Sequence, residues 1–158
     1  MFFLSFCLWG TVRIVKGITF NQECGGYLSR AANANTVDLA KTELKRATDY
    51  LEQRDLTEGY TSVLWKTPDE DIGFWYSNLK ASLDELEATA PDATPLERSN
   101  VLMKLRETLM TSSSEGGSSV TVPDGISVYP SNTLFFCWAW ASIGAAALCI
   151  VAALWNER

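Results

Sequence analysis

Residues 134–155 read LFFCWAWASIGAAALCIVAALW, without a charge or a proline. As an α-helix this stretch is about 33 Å long at roughly 1.5 Å per residue. A hydrocarbon core of about 30 Å is thereby within its reach. A core helix of a soluble domain has little reason to stay uncharged for so long, so the stretch is expected to span a membrane. Trp138, Trp140 and Trp155 lie toward its ends, where interfacial aromatics sit. Inside it, Ala141, Ala145, Cys149 and Ala153 recur every four residues, with Ser142 and Ala146 beside them. Such small residues let another helix approach closely. Alanine-rich apolar composition is the plainer explanation. The stripe favours packing on a first span or on a second copy of the chain.

The other end is apolar too. Residues 1–20 read MFFLSFCLWGTVRIVKGITF. Phe2–Val12 is too short to span alone. Continued through Ile18–Phe20 it reaches, with Arg13 and Lys16 extending their stems toward the interface. A cleaved signal peptide competes, but there is no basic region before the apolar run and no A-x-A-like site after it. Leu4-Ser5-Phe6-Cys7 is a poor lipoprotein box, because a bulky Phe precedes the Cys. An uncleaved first span is expected; a start placed too late would explain the short apolar run as well.

Between these segments, residues 21–132 carry 10 Lys/Arg against 18 Asp/Glu, a net charge of −8. Nucleic acid is a poor partner for so acidic a stretch. The chain has no histidine. That removes the usual general base, the commonest metal ligand and every Ser-His or Cys-His arrangement. There is no Gly-rich phosphate loop, no G-x-S-x-G and no HExxH. Of four cysteines, Cys7, Cys137 and Cys149 fall in the apolar ends, and no CxxC exists. Cys24 therefore has no soluble partner in its own chain, and a zinc site is not expected. Cys24 reads as a packing residue, or else as one half of a disulfide between chains. No enzyme activity, cofactor or metal is expected.

The middle reads as three helices. Val37, Ala40, Leu44, Ala47 and Leu51 follow a 3-4 spacing, a packing stripe with Lys41, Glu43, Lys45 and Arg46 off it. This helix begins near Tyr27, running on from the first span through residues 29–36, or is capped afresh by the Asn residues there. Gly59–Trp65, GYTSVLW, is a lone β-like run and reads as an extended connector.

Thr67–Leu79, TPDEDIGFWYSNL, sets three acids before three aromatics. Thr67 as N-cap, Pro68 in the first turn and Glu70 three residues on make a capping box. Asp69 and Asp71 add charge that the helix dipole favours. Helix initiation thus accounts for the acids, and a metal would need further oxygen ligands. Ile72, Trp75, Leu79, Leu83 and Leu86 form the apolar face, so Trp75 is expected inside. Phe74 and Tyr76 flank it. Thr94-Pro95-Leu96-Glu97 repeats the capping device before Val101, Leu102, Leu105 and Leu109. Thr111–Ser119, TSSSEGGSS, reads as a flexible linker, and VTVPDGISVYPSN after it as a hairpin-like or extended stalk.

The expected fold is all-α: a small antiparallel helical bundle between an N-terminal and a C-terminal transmembrane helix. Its parts are a first span (1–20), the bundle (21–110), a linker and stalk (111–133), the second span (134–155) and a short tail (156–158). Arg13, Lys16 and Arg30 on the loop side favour a cytoplasmic bundle. A segment of about 110 residues crosses largely regardless of charge. In layout alone the chain resembles outward-facing, membrane-tethered sensory modules, and an extracytoplasmic bundle is expected.

Its partners are the lipid bilayer and another membrane protein or its own copies. The expected function is association by a non-enzymatic scaffold or accessory subunit. The alternative is a sensory or ligand-binding module whose pocket is lined by Tyr60, Trp65, Phe74 and Tyr76.

Overall fold

The computed structural model describes residues 2–112 and 118–156. Helix α1, Phe2–Phe20, passes into a π-helical segment, Asn21–Gly25, and on into α2, Gly26–Ala32. Phe20, Gly25 and Gly26 all keep right-handed helical backbone, so residues 2–32 form one rod. Asn33 closes the rod by donating its side-chain amide to the Ser29 carbonyl, 2.7 Å. Asn35 after it does not start the next helix; Thr36 does, accepting from the Leu39 amide at 3.3 Å.

Helix α3, Val37–Gln53, ends with Asp55 in the left-handed region at φ 55°. The Leu56 amide then donates to the Leu51 carbonyl, 2.8 Å, and the Asp55 amide to Glu52, 3.2 Å. These are the two bonds of a Schellman closure, and buried Leu56 supplies its apolar contact. Helices α4, Ile72–Ala88, and α5, Pro95–Leu109, follow.

One core unites these elements. Leu28 and Ala31 of α2 meet Leu44, Ala47 and Leu51 of α3, Ile72, Leu79 and Leu86 of α4, and Leu105 and Leu109 of α5. Each buried leucine stabilises the fold by about 2 kcal/mol relative to exposure. The stripe on α3 does not serve a coiled coil. It packs among α2, α4 and α5 rather than along one supercoiled partner.

The expected capping box at Thr67 is displaced. Pro68–Glu70 forms a single 3-10 turn, and α4 starts at Ile72 with Asp71 as its cap, accepting from the Phe74 amide at 3.0 Å. The cause is the connector. Thr61 donates to the Glu70 carbonyl, 3.0 Å, and Ile72 to the Gly59 carbonyl, 2.9 Å, so residues 59–61 hold 70–72 in an extended bridge. Gly59 is required there: φ is +102°, and a Cβ would collide with the Tyr129 hydroxyl. The second box holds as read, with Thr94 and Glu97 capping α5 reciprocally.

The chain is mostly helical but carries a small sheet. Met110–Ser112 (β1) pairs antiparallel with Ser118–Val120 (β2), Met110 opposite Val120. Thr111, Ser112, Ser118 and Ser119 of the expected flexible linker are therefore paired in strands, and residues 113–117 lie outside the described ones. Nor is there an extended stalk: Pro123, Ile126 and Val128 are buried, the last two in a 3-10 turn, Ile126–Val128. The hairpin is held because the Trp75 indole donates to the Thr121 carbonyl at 2.8 Å. Helix α6, Asn132–Asn156, ends the described chain; of the expected tail, 157 and 158 lie outside it. Among the described residues it is the one helix long and apolar enough to cross a membrane, with a mean hydropathy of 1.4 over Asn132–Cys149.

Candidate functional site

Helices α1 and α6 lie side by side, antiparallel. The Trp9 indole donates to the Phe135 carbonyl and the Trp138 indole to Ser5 Oγ, both at 2.9 Å. Ser5 Oγ and Ser142 Oγ are 3.5 Å apart. The face of α6 toward α1 is thus Phe135, Trp138 and Ser142, and Ser142 is buried. Within the small-residue stripe, Ala145 is half-buried, while Ala141 and Cys149 are exposed and face away. The Ala153 side chain lies outside the described residues.

Where this pair joins the rest of the chain there is a cleft of about 550 Å³. One wall is Trp9 and Arg13 of α1; another is the first two turns of α6, from Asn132 to Ala139. Residues 61–65 and Asp124 close the remaining sides. Asn132 fixes the junction by donating to the Thr61 carbonyl, 2.8 Å, and the Gly125 carbonyl, 3.1 Å. Three buried oxygens there have no hydrogen-bond partner: Thr61 Oγ1, Ser62 Oγ and Asn132 Oδ1. Arg13 lies over the Trp9 ring, 5.5 Å from its centroid, and Lys16 over the Phe135 ring at 5.4 Å.

The four residues expected to share a pocket are not brought together. Trp65 lines this cleft, 77 % exposed. Tyr60 stands beside Asp71, whose charge and hydrogen bond raise its pKa, and Lys66 covers its ring. Phe74, 66 % exposed, borders a separate groove of about 360 Å³ next to Pro123. Tyr76 turns to α3 and donates to Glu52, which Lys80 also meets at 3.2 Å. Burial first, then the Glu52 carboxylate, push the Tyr76 hydroxyl up to about 12. The Tyr76 and Lys80 hydrogen bonds hold Glu52 below the usual range.

One further group differs from its sequence reading, and one, Cys24, takes the packing role read for it. Glu43 is not a solvated charge: it is 2 % exposed. Arg30 holds it at 2.9 Å and Arg46 at 3.5 Å, and both guanidiniums flank the Tyr27 ring. Cys24 is fully buried, and burial pushes its thiol up to about 12. Near neutral pH it carries almost no thiolate, so neither nucleophilic attack nor a disulfide to another chain is open to it without unfolding. Among the described residues no three Cys, Asp or Glu side chains converge as a metal site would need.

No family model matches this chain, and neither does any curated protein or solved structure.

Proposed function

We propose that this chain is an integral membrane protein whose helical bundle is held at the bilayer surface by α1 and α6. It works by association with a partner membrane protein or with its own copies, not by catalysis. The observation that carries the reading is the outer surface of the α1–α6 pair. On α6, Leu134 and Leu148 are each 72 % exposed and Trp155 is 81 % exposed. Leu4, Leu8, Ile14 and Ile18 face outward on α1. Side chains of this kind, contiguous over two helices, call for a lipid covering. Indole and hydroxyl bonds between the two helices are the sort that join spans in hydrocarbon. Antiparallel spans leave the bundle on one side, and we place that side outside the cytoplasm.

Association is supported by α5, which is apolar on two faces. Leu105 and Leu109 point to the core, while Leu96 and Met103, seven residues apart, are 70 % and 57 % exposed. Cross-linking in native membranes tests the reading. A defined oligomer or a stoichiometric partner is expected, lost on Leu96→Asp with Met103→Asp and weakened by Ala141→Leu. A chain that cross-links to nothing, or equally in all variants, would refute association. Orientation is read with Ala81→Cys on exposed α4 surface: labelling by an impermeant thiol reagent on intact cells is expected, and labelling only after lysis reverses it.

A further inference from the structure

We infer that the connector segment Val63-Leu64-Trp65-Lys66 is a third membrane contact, with the Leu64 and Trp65 side chains seated in the headgroup boundary of the bilayer beside the start of α6. The inference rests on the membrane reading above.

Two large apolar side chains stand open in this segment: Leu64 is 61 % exposed and Trp65 77 %. Single exposed apolar residues are ordinary. This pair is singled out by its place. The connector is tied to the root of α6, because Asn132 donates to the Thr61 carbonyl at 2.8 Å. From Thr61, three or four extended residues span at most about 10–14 Å. Leu64 and Trp65 line the same cleft as Trp9 and Arg13 of α1 and Phe135, Phe136 and Ala139 of α6. Ala139 is seven residues into α6 from Asn132, about 10 Å along the helix axis. The segment therefore lies beside the first two turns of α6, where that helix enters the bilayer.

The backbone sets the depth. Among the described residues, 62–66 make no backbone–backbone hydrogen bond. Irregular peptide groups of this kind do not enter hydrocarbon that faces lipid, whereas the headgroup region hydrates them. Tryptophan is enriched at that level, its ring toward the acyl chains and its N–H toward water. Lys66 follows Trp65 and lies over the Tyr60 ring at 4.9 Å, while Arg13 borders the cleft. Neither makes an ion pair among the described residues, and both can meet phosphate oxygens. Glu70 and Asp124 border the cleft as well, so the contact does not call for an anionic lipid. Two spans packed as one pair tether the helical domain along a single line. A third contact beside that line holds its tilt on the membrane.

The full chain is reconstituted in dioleoyl phosphatidylcholine vesicles, with Cys7, Cys137 and Cys149 replaced by Ala and buried Cys24 retained. One nitroxide is attached in turn at Leu64→Cys, Trp65→Cys, Ala81→Cys and Leu148→Cys. All four positions are exposed, so the labels leave the core intact. Electron paramagnetic resonance then reads how far each label is reached by oxygen, which concentrates in lipid, and by a water-soluble nickel chelate. The oxygen-to-nickel ratio is expected to be highest at 148, intermediate at 64 and 65, and lowest at 81 on the outer surface of α4. Ratios at 64 and 65 no higher than at 81 would overturn the inference by leaving the segment in water. Shielding of 64 and 65 from both reagents would also overturn it, by assigning these side chains to a protein contact. In both of those results a lipid-facing label at 148 leaves the membrane reading standing. A water-facing label at 148 defeats the membrane reading itself, and this inference with it.

Discussion

Helices α4 and α6 both carry tryptophan and leucine, and they use them in opposite ways. On α4, Trp75 is 8 % exposed and Leu79, Leu83 and Leu86 are buried behind a charged outer face. On α6, Trp140 is 61 % exposed and Leu134, Ile143 and Leu148 point away from the protein. The difference lies in what separates the apolar residues. In α4, Lys80, Asp84 and Glu85 fall between them, Glu87 follows, and one stripe is left to bury. In α6 nothing charged intervenes from 134 to 155, so every face is apolar and α1 can cover only one. Hydrophobicity alone does not say what will cover a side chain. The interleaved charge does.

The sharpest way to break this comparison is to truncate one tryptophan from each helix. Trp75→Ala should destabilise the helical domain by about 3–5 kcal/mol, since it removes a buried ring and orphans the Thr121 carbonyl. Trp140→Ala should leave the melting of that domain unchanged when the full chain is unfolded in detergent. Equal effects would mean that the two environments are not distinct.

A smaller effect concerns how α4 begins. Asp71→Ala should cost about 1 kcal/mol by leaving the Phe74 amide without its acceptor. Thr67→Ala should stay within about 0.5 kcal/mol, because its exposed hydroxyl bonds only to Glu70. A larger loss at Thr67 would return the helix start to the position read from the sequence.

The mildest effect lies at alkaline pH. The Tyr76 pKa is raised from 10.0 to about 12, so the folded chain holds that proton more tightly than the unfolded chain. The resulting stability is complete below about pH 10 and is lost as the pH climbs through about 12. Thermal unfolding followed across this window should show a shallower decline in Tyr76→Phe than in the wild type. Parallel curves would remove the Glu52 contact from the account.

Local patterns announced much of this fold. The stripes on α3 and α4 place Ala40, Leu44, Leu51, Ile72, Trp75 and Leu79 inside, where they are found. The Thr94 cap and the apolar length of α6 were equally legible. What escaped depends on distant partners. Glu43 is buried because Arg30 reaches it from another helix. Asp71 displaces Thr67 because residues 59–61 fold back on it. Residues 111–119 look like linker, yet their ends pair because the Trp75 indole holds Thr121 in place. The cleft is least legible of all, since its walls come from α1, the 61–65 connector and α6. No spacing within one segment marks it.

The central claim is that α6 lies in lipid with its apolar faces outward. Alkaline carbonate extraction of membranes from cells expressing the full chain tests it most directly, with Leu148→Arg as the comparison. The wild type is expected to remain with the membrane pellet, and Leu148→Arg, which sets a charge on an exposed face 72 % open in the protein, to be released in part. Recovery of the wild-type chain in the supernatant as a monodisperse, water-soluble protein would contradict the claim.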